Sequence, residues 1–160
     1  MQHTTIRPNT YTQIYIHVVF TVQNRASLIS DKWQERLYRY IIEIIKNYGE
    51  KVIIIGGMPD HIHIFYSLEN TTCSVANLMR AVKGKSSHWI NENKLVIGRF
   101  EWQTGYGAFS YSKSSIDNVV KYIQNQKKYH TNKTFIEEYK ELLQKFGIKY
   151  EEKYIFHAIK

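Results

Sequence analysis

Four residues of this chain have types and spacings that could do chemistry. His61 and His63 flank a single Ile inside an apolar run, and Tyr122 and Gln126 stand four residues apart further on. In a strand, residues i and i+2 share a face, so His61, His63 and Phe65 look one way and Ile62 and Ile64 the other. Two imidazoles about 7 Å apart along a strand can converge on one metal ion. Taken alone, such a pair is also an ordinary half-exposed strand feature. Tyr122 and Gln126, at i and i+4, lie on one flank of a helix beside a buried stripe of Ile116, Val119, Val120 and Ile123, with Asn118 one turn earlier. By itself that is a helix shoulder, made basic and wet by Lys121, Asn125, Lys127, Lys128 and His130.

The elements that must position these residues follow from hydrophobic periodicity. Tyr11 to Val22 alternates with period two: Ile14, Ile16, Val18, Phe20 and Val22 face a core, and Tyr11, Gln13, Tyr15 and His17 face away from it. Asp31 to Tyr48 is a helix with Ser30 or Asp31 as N-cap and Gly49 as its stop. Lys51 to Met58, closed by Gly56, Gly57 and Pro59 as a turn signal, and His61 to Leu68 form an antiparallel hairpin. Ser74 to Asn93 is a second helix, with a bend expected at Gly84. A short strand at Gly107 to Tyr111, a helix from Ser114 to Tyr129 and another from Thr134 to Phe146 complete the chain.

The order β-α-β-β-α-β followed by two further helices predicts an α+β, ferredoxin-like fold, an antiparallel sheet with helices on one face. The Ile62/Ile64 face is expected beneath the helices. Both imidazoles then fall on an open face, lined also by Tyr15 and His17. No repeat or linker divides the chain, so residues 1–160 read as one domain, with a ferredoxin-like core over 11–112. The third helix occupies 114–130, and the helix and tail of 131–160 receive no catalytic role.

Composition limits the partners. Hydrophobic residues make up 43% and charged residues 22%, as in ordinary soluble domains, so disorder is expected only at the ends. Lys and Arg number 22 against 14 Asp and Glu, and this excess favours a polyanion, nucleic acid before an anionic membrane surface. Arg80, Lys83, Lys85 and Lys121, with Lys127 and Lys128, are candidate phosphate contacts. Thirteen Tyr could stack on bases or could reflect coding bias. Cys73 is the single cysteine, which excludes an intramolecular disulfide and a thiolate metal cage. With neither a signal peptide nor a membrane-length apolar run, a cytoplasmic location is expected.

The segment Gly57-Met58-Pro59-Asp60-His61-Ile62-His63-Ile64 resembles the histidine-hydrophobic-histidine signature of the HUH-type single-tyrosine transposases of bacterial insertion sequences, the TnpA group with its repeat-associated relatives. Tyr122-Ile123-Gln124-Asn125-Gln126 is similar to that family's tyrosine helix. Tyr11 to Phe20 is similar to its first strand, and Gln103-Thr104-Gly105-Tyr106-Gly107-Ala108-Phe109 to its last.

The resemblance implies His61, His63 and Gln126 as ligands of Mg²⁺ or Mn²⁺ and Tyr122 as nucleophile. It implies a DNA transposase that cleaves and rejoins single-stranded DNA at hairpin-bearing element ends through a 5′-phosphotyrosine. Tyr15 and His17 of the open face and the basic Arg80, Lys83, Lys85 and Lys121 are the residues then expected toward the DNA. It also implies a homodimer in which the tyrosine helix of one subunit completes the histidine site of the other. A different turn around Tyr111 to Ser114 would give a site within one chain, and the sequence is compatible with both. Two rivals remain at this level. An RRM-like module would hold single-stranded RNA on a Tyr-rich open sheet, though it leaves the His pair and Tyr122 with Gln126 unexplained. An HUH nuclease of replication initiation would usually carry further domains.

Overall fold

A computed structural model of the chain describes residues 9–155. Four strands, β1 (Tyr15–Thr21), β2 (Lys51–Met58), β3 (His61–Ser67) and β4 (Gly107–Tyr111), form one sheet in the order β2-β3-β1-β4, with every neighbouring pair antiparallel. Helices α1 (Gln34–Asn47) and α2 (Val75–Glu92) are the two crossovers of the expected ferredoxin-like core. β1 is shorter than its alternation suggests. The carbonyl of Ile14 still accepts from Leu68 N (2.8 Å), but Tyr11 to Gln13 lie beyond the paired register.

The apolar alternation decides the first layer. Val18 and Phe20 of β1 and Ile62, Ile64 and Tyr66 of β3 point to one face. There they pack under Leu37, Ile41 and Ile45 of α1 and Leu78, Met79 and Val82 of α2. These are all fully or almost fully buried, and at roughly 1.5–3 kcal/mol per large apolar side chain they supply most of the driving force. Ser30 begins the turn into α1, accepting backbone bonds from Trp33 and Gln34, but no side chain caps the helix at Trp33 itself. Ser74 does cap α2, accepting from Asn77 N at 3.0 Å. Gly49, at positive φ (85°), follows α1 as its stop signal predicts, and Gly147 (φ 65°) ends the helix that begins at Phe135.

Gly84 does not break α2, which runs through it as one helix of 18 residues. A Cβ added there would meet nothing within 4 Å. Gly84→Ala is therefore expected to raise stability by about 0.5–1 kcal/mol, read as a higher urea midpoint at unchanged slope. A lower midpoint would mean that the glycine serves a bend the backbone does not display.

The second face of the sheet differs from expectation. It is covered, not open. α3 (Ile116–Gln124) seats Val119 and Ile123 on Phe65, and α5 (Phe135–Lys145) seats Phe135, Tyr139, Leu142 and Leu143 on Val19 and Phe109. Between them the expected single helix over 114–129 divides at Asn125 (φ −97°, ψ 23°), leaving a one-turn α4 (Gln126–Tyr129). α3 lies hard against β2, where a Cβ on Gly56 would come within 3.0 Å of both the side chain and the carbonyl of Ile123. Because helices cover both faces, β3 is buried along almost its whole length. Among the described residues, no helix is long and apolar enough to cross a membrane.

Candidate active site

The site grows from β3. Its register places His61 opposite Thr21 and His63 opposite Val19, so both imidazoles rise from the face beneath α3, α4 and α5. Both are completely buried. The alternation identifies their face correctly, but the C-terminal helices remove it from solvent.

Glu138 of α5 organises the cluster. One carboxylate oxygen, Oε1, lies 3.3 Å from His63 Nε2, 3.1 Å from His130 Nε2 and 3.5 Å from His61 Nε2. The other, Oε2, accepts from Gln126 Nε2 at 2.9 Å and from the Tyr122 hydroxyl. Gln126 turns its amide oxygen to His61 Nε2 (3.0 Å), and Asp60 Oδ1 holds the opposite nitrogen, Nδ1, at 2.6 Å. Tyr122 stands edge-on to His63 with ring centres 5.5 Å apart. Gln126, at the start of α4 just past the break at Asn125, is 2% exposed.

Burial tends to neutralise Glu138, but hydrogen bonds from His130 and His63 outweigh it and hold the carboxyl well below the usual carboxylate range. His63 is pushed below the ordinary histidine value by its burial, so it stays neutral. Burial also pulls His130 down, yet its bond to Glu138 and that group's charge prevail and leave it raised. His130 is thus the imidazolium partner of Glu138. The phenol of Tyr122 is pushed far up, first by burial and then by the Glu138 charge.

These shifts set a pH dependence. His17 and His63 have depressed folded values, so the unfolded chain binds more protons below its histidine value of about 6.5, and stability falls on acidification. Glu138 acts in the same direction once pH drops below about 4.3, its unfolded value. His130 opposes them, contributing stability below about 6.5 that is lost as pH rises through its raised folded value. Two buried histidines against one make acid destabilising: the urea midpoint should decline from pH 7 to pH 5, and a midpoint constant across that range would contradict the buried neutral pair.

The donors fit a divalent cation. One ligand atom each from His61, His63 and Glu138 lies within 4.8 Å of the others. Two imidazoles and a carboxylate, with the Gln126 amide oxygen beside them, suit a borderline or hard divalent ion. Glu138 was not anticipated from sequence, and neither were His130 and Asp60. The signal was present for one of them: a carboxylate at position 138 interrupts the apolar stripe of Phe135, Tyr139, Leu142 and Leu143.

The residues expected to meet DNA are dispersed. His17 cannot reach solvent at all, since it is completely buried against His63, and Tyr15 is half-buried against Phe65. Lys83 is committed elsewhere. Its ammonium donates to the carbonyls of Gln103 (2.7 Å) and Gly105 (2.8 Å), and burial pushes its pKa down to about 8. Arg80 and Lys85 are exposed on α2, across the sheet from Tyr122, whereas Lys121 is exposed on α3. The polar-aromatic sheet face that an RRM-like module would present is the face that α3, α4 and α5 cover.

Comparison with known proteins agrees with this fold. The profile of a family described as IS200-like transposases matches residues 10–126. The ISDra2 transposase TnpA of Deinococcus radiodurans is 24% identical over 120 residues, covering 71% of this chain and 84% of that protein. A candidate transposase from Deinococcus radiodurans R1 superposes with a TM-score of 0.61 at 18% identity, covering 76% of this chain and 97% of its own. A REP-associated tyrosine transposase bound to a REP hairpin superposes with a TM-score of 0.60 at 16% identity, over 79% and 74% respectively. The family match ends at Gln126, so α5 and Glu138 lie outside it.

Proposed function

The chain belongs to the family of IS200-like transposases, and from that premise we propose that it cuts and rejoins single-stranded DNA with Tyr122 as nucleophile, beside a divalent ion held by His61, His63 and Glu138. The observation that carries this reading is the convergence of the Tyr122 hydroxyl, the Gln126 amide and both histidines on one buried carboxylate. Gln126, the third ligand that the family resemblance implies, is well placed to share that role through the oxygen it turns to His61. Mg²⁺ and Mn²⁺ are the ions that this donor set and a phosphate substrate favour. Once bound, the ion supplies positive charge for a non-bridging phosphate oxygen and the departing 3′ oxygen.

The protein's own groups account for the rest. Tyr122 Oη attacks phosphorus as the bond to the 3′ oxygen breaks, giving a 5′-phosphotyrosine and a free 3′-OH. The adduct conserves the phosphodiester, so a second 3′-OH can reverse the step without ATP. The hydroxyl proton already lies in a hydrogen bond to Glu138, and the Gln126 amide holds the same carboxylate oxygen in place. His61 is oriented by Asp60. The whole arrangement uses residues of one chain, which supports a site in cis within the proposed homodimer. The 131–160 segment belongs to the same catalytic unit because Glu138 comes from it. The hairpin-bound REP-associated neighbour makes a DNA hairpin the first substrate to try.

The test is an SDS gel of the protein mixed with labelled hairpin-bearing single-stranded oligonucleotides. A covalent adduct is expected with Mg²⁺ or Mn²⁺ and none with a chelator. Persistent adduct in the chelator would sink the metal reading, and no adduct on any single-stranded substrate would sink the nuclease reading.

A further inference from the structure

We propose that His17 is a positioning residue for His63, fixing its ring and deciding which of its two nitrogens carries the proton. The inference builds on the reading of His63 as a metal ligand.

His17 on β1 and His63 on β3 are diagonal neighbours, since His17 pairs with Phe65 and Val19 with His63. His17 Nε2 lies 2.8 Å from His63 Nδ1, and both rings are completely buried. The ring planes are near-parallel, 22° apart, and their centres lie 5.0 Å apart, a separation that fits two imidazoles joined nitrogen to nitrogen. Phe109, Tyr111 and Tyr122 surround His17 with ring centres 5.8–6.2 Å away, so its ring has little room to turn. Among the described residues, none gives its remaining buried nitrogen, Nδ1, a hydrogen bond.

One proton occupies the His17–His63 contact, and the surroundings determine its owner. His63 Nε2 faces the Glu138 carboxylate, which only accepts, so this nitrogen carries a proton. His63 Nδ1 is then bare and must accept from His17 Nε2–H. The unpartnered His17 Nδ1 is accordingly a lone pair and not a stranded N–H donor. The reverse assignment would bury an unpaired N–H at His17 Nδ1 and set a lone pair of His63 against the carboxylate.

When His63 Nε2 serves as a ligand it must give up its proton. The hydrogen bond then reverses: the His63 Nε2 proton is released to solvent, the shared proton crosses from His17 to His63 Nδ1, and a proton from water enters at His17 Nδ1, where the cost of the buried, unpaired N–H must be offset by the metal bond. Both rings stay neutral. An imidazole at position 17 can follow this change because it can donate or accept at the same nitrogen, and the terminal amide of Gln can follow it by turning over, donating from Nε2 or accepting at Oε1. Phe fits the aromatic surroundings but leaves His63 Nδ1 unpaired in both states.

The experiment uses the full chain with ¹⁵N-labelled histidine. In the metal-free protein, a nitrogen–nitrogen coupling across the hydrogen bond is expected between His17 and His63, with the proton on His17 Nε2. On Zn²⁺ addition the coupling should persist with the proton moved to His63 Nδ1. His17→Phe should weaken Mn²⁺ binding about 10- to 100-fold with the fold intact by circular dichroism, and His17→Gln should stay within about 3-fold of wild type. Absence of the coupling, wild-type Mn²⁺ affinity in His17→Phe, or equal loss in His17→Gln and His17→Phe would each overturn the proposal. If the wild type bound no Mn²⁺ the metal reading would fail, and the coupling in the metal-free protein would still decide whether His17 holds His63.

Discussion

Tyr122→Phe is expected to abolish the SDS-resistant protein–DNA adduct, a loss of at least about a thousandfold, while single-stranded DNA binding should stay within about twofold of wild type. The substitution removes one oxygen. The Phe ring keeps the contacts Tyr122 makes with His63, His17 and Tyr129, whose ring centres lie 5.5, 6.2 and 5.4 Å away. Ionising an ordinary phenol at pH 7 costs about 4 kcal/mol, and burial and the Glu138 charge make Tyr122 harder still to ionise. The metal-free site therefore holds the nucleophile protonated. In the proposed reaction, positive charge near Glu138 would be needed before the phenol could lose its proton, which would link the proposed nucleophile to metal loading. The check is an adduct assay in parallel with a binding isotherm. Adduct formed by the Phe variant would shift the nucleophile to another tyrosine. Tyr129 would be examined first, since its hydroxyl already donates to Glu141 at 2.8 Å.

Glu138→Ala carries the second large effect, and it falls on stability as well as on metal binding. The change strands Gln126 Nε2, the Tyr122 hydroxyl and the imidazolium of His130 in a buried pocket. Breaking one partner of a buried pair typically costs about 3–5 kcal/mol. For a chain of this size that corresponds to a melting temperature lower by roughly 10 °C. Mn²⁺ affinity should fall at least about tenfold in Glu138→Ala and also in Glu138→Gln, which keeps the shape and removes the charge. Gln126→Ala should lose less, because a water can replace an amide oxygen. Calorimetric titration separates the cases. If Glu138→Gln binds Mn²⁺ like the wild type while Gln126→Ala does not, the third donor is the amide that the family resemblance implies, and Glu138 acts as a partner of His130 and Tyr122.

The positions of His61 and His63 alter what their removal should do. On an open sheet face, truncation to Ala would be nearly neutral for stability. Beneath α5, each imidazole fills space against packed rings; His61 lies 4.6 Å from Phe135, centre to centre. Loss of activity in these variants is therefore best compared with conservative His→Gln changes, which retain volume.

Local patterning by itself determined a large part of this protein. Period-two runs in Tyr15–Thr21 and His61–Ser67 and the 3.6-residue stripes of α1, α2 and α5 follow from which neighbours along the chain are apolar. Hence the order of elements, the fold class and the sheet face bearing His61 and His63 were all legible. The adjacency of Tyr122 and Gln126 was legible too, as a matter of helical spacing. Three things were decided only by tertiary structure. Glu138 meets His63 across 75 residues of chain, a contact that no local period encodes. Gln126, just past the break at Asn125, reaches both His61 and Glu138, and Tyr129 reaches Glu141, so that long-range bonds tie α4 to α5. His17 and Lys83 looked like surface groups because their types are polar, yet one is sealed beneath the C-terminal helices and the other is held by two backbone carbonyls. Whether a polar residue meets solvent depends on what the rest of the chain lays over it, and that follows from the packing of distant apolar stripes.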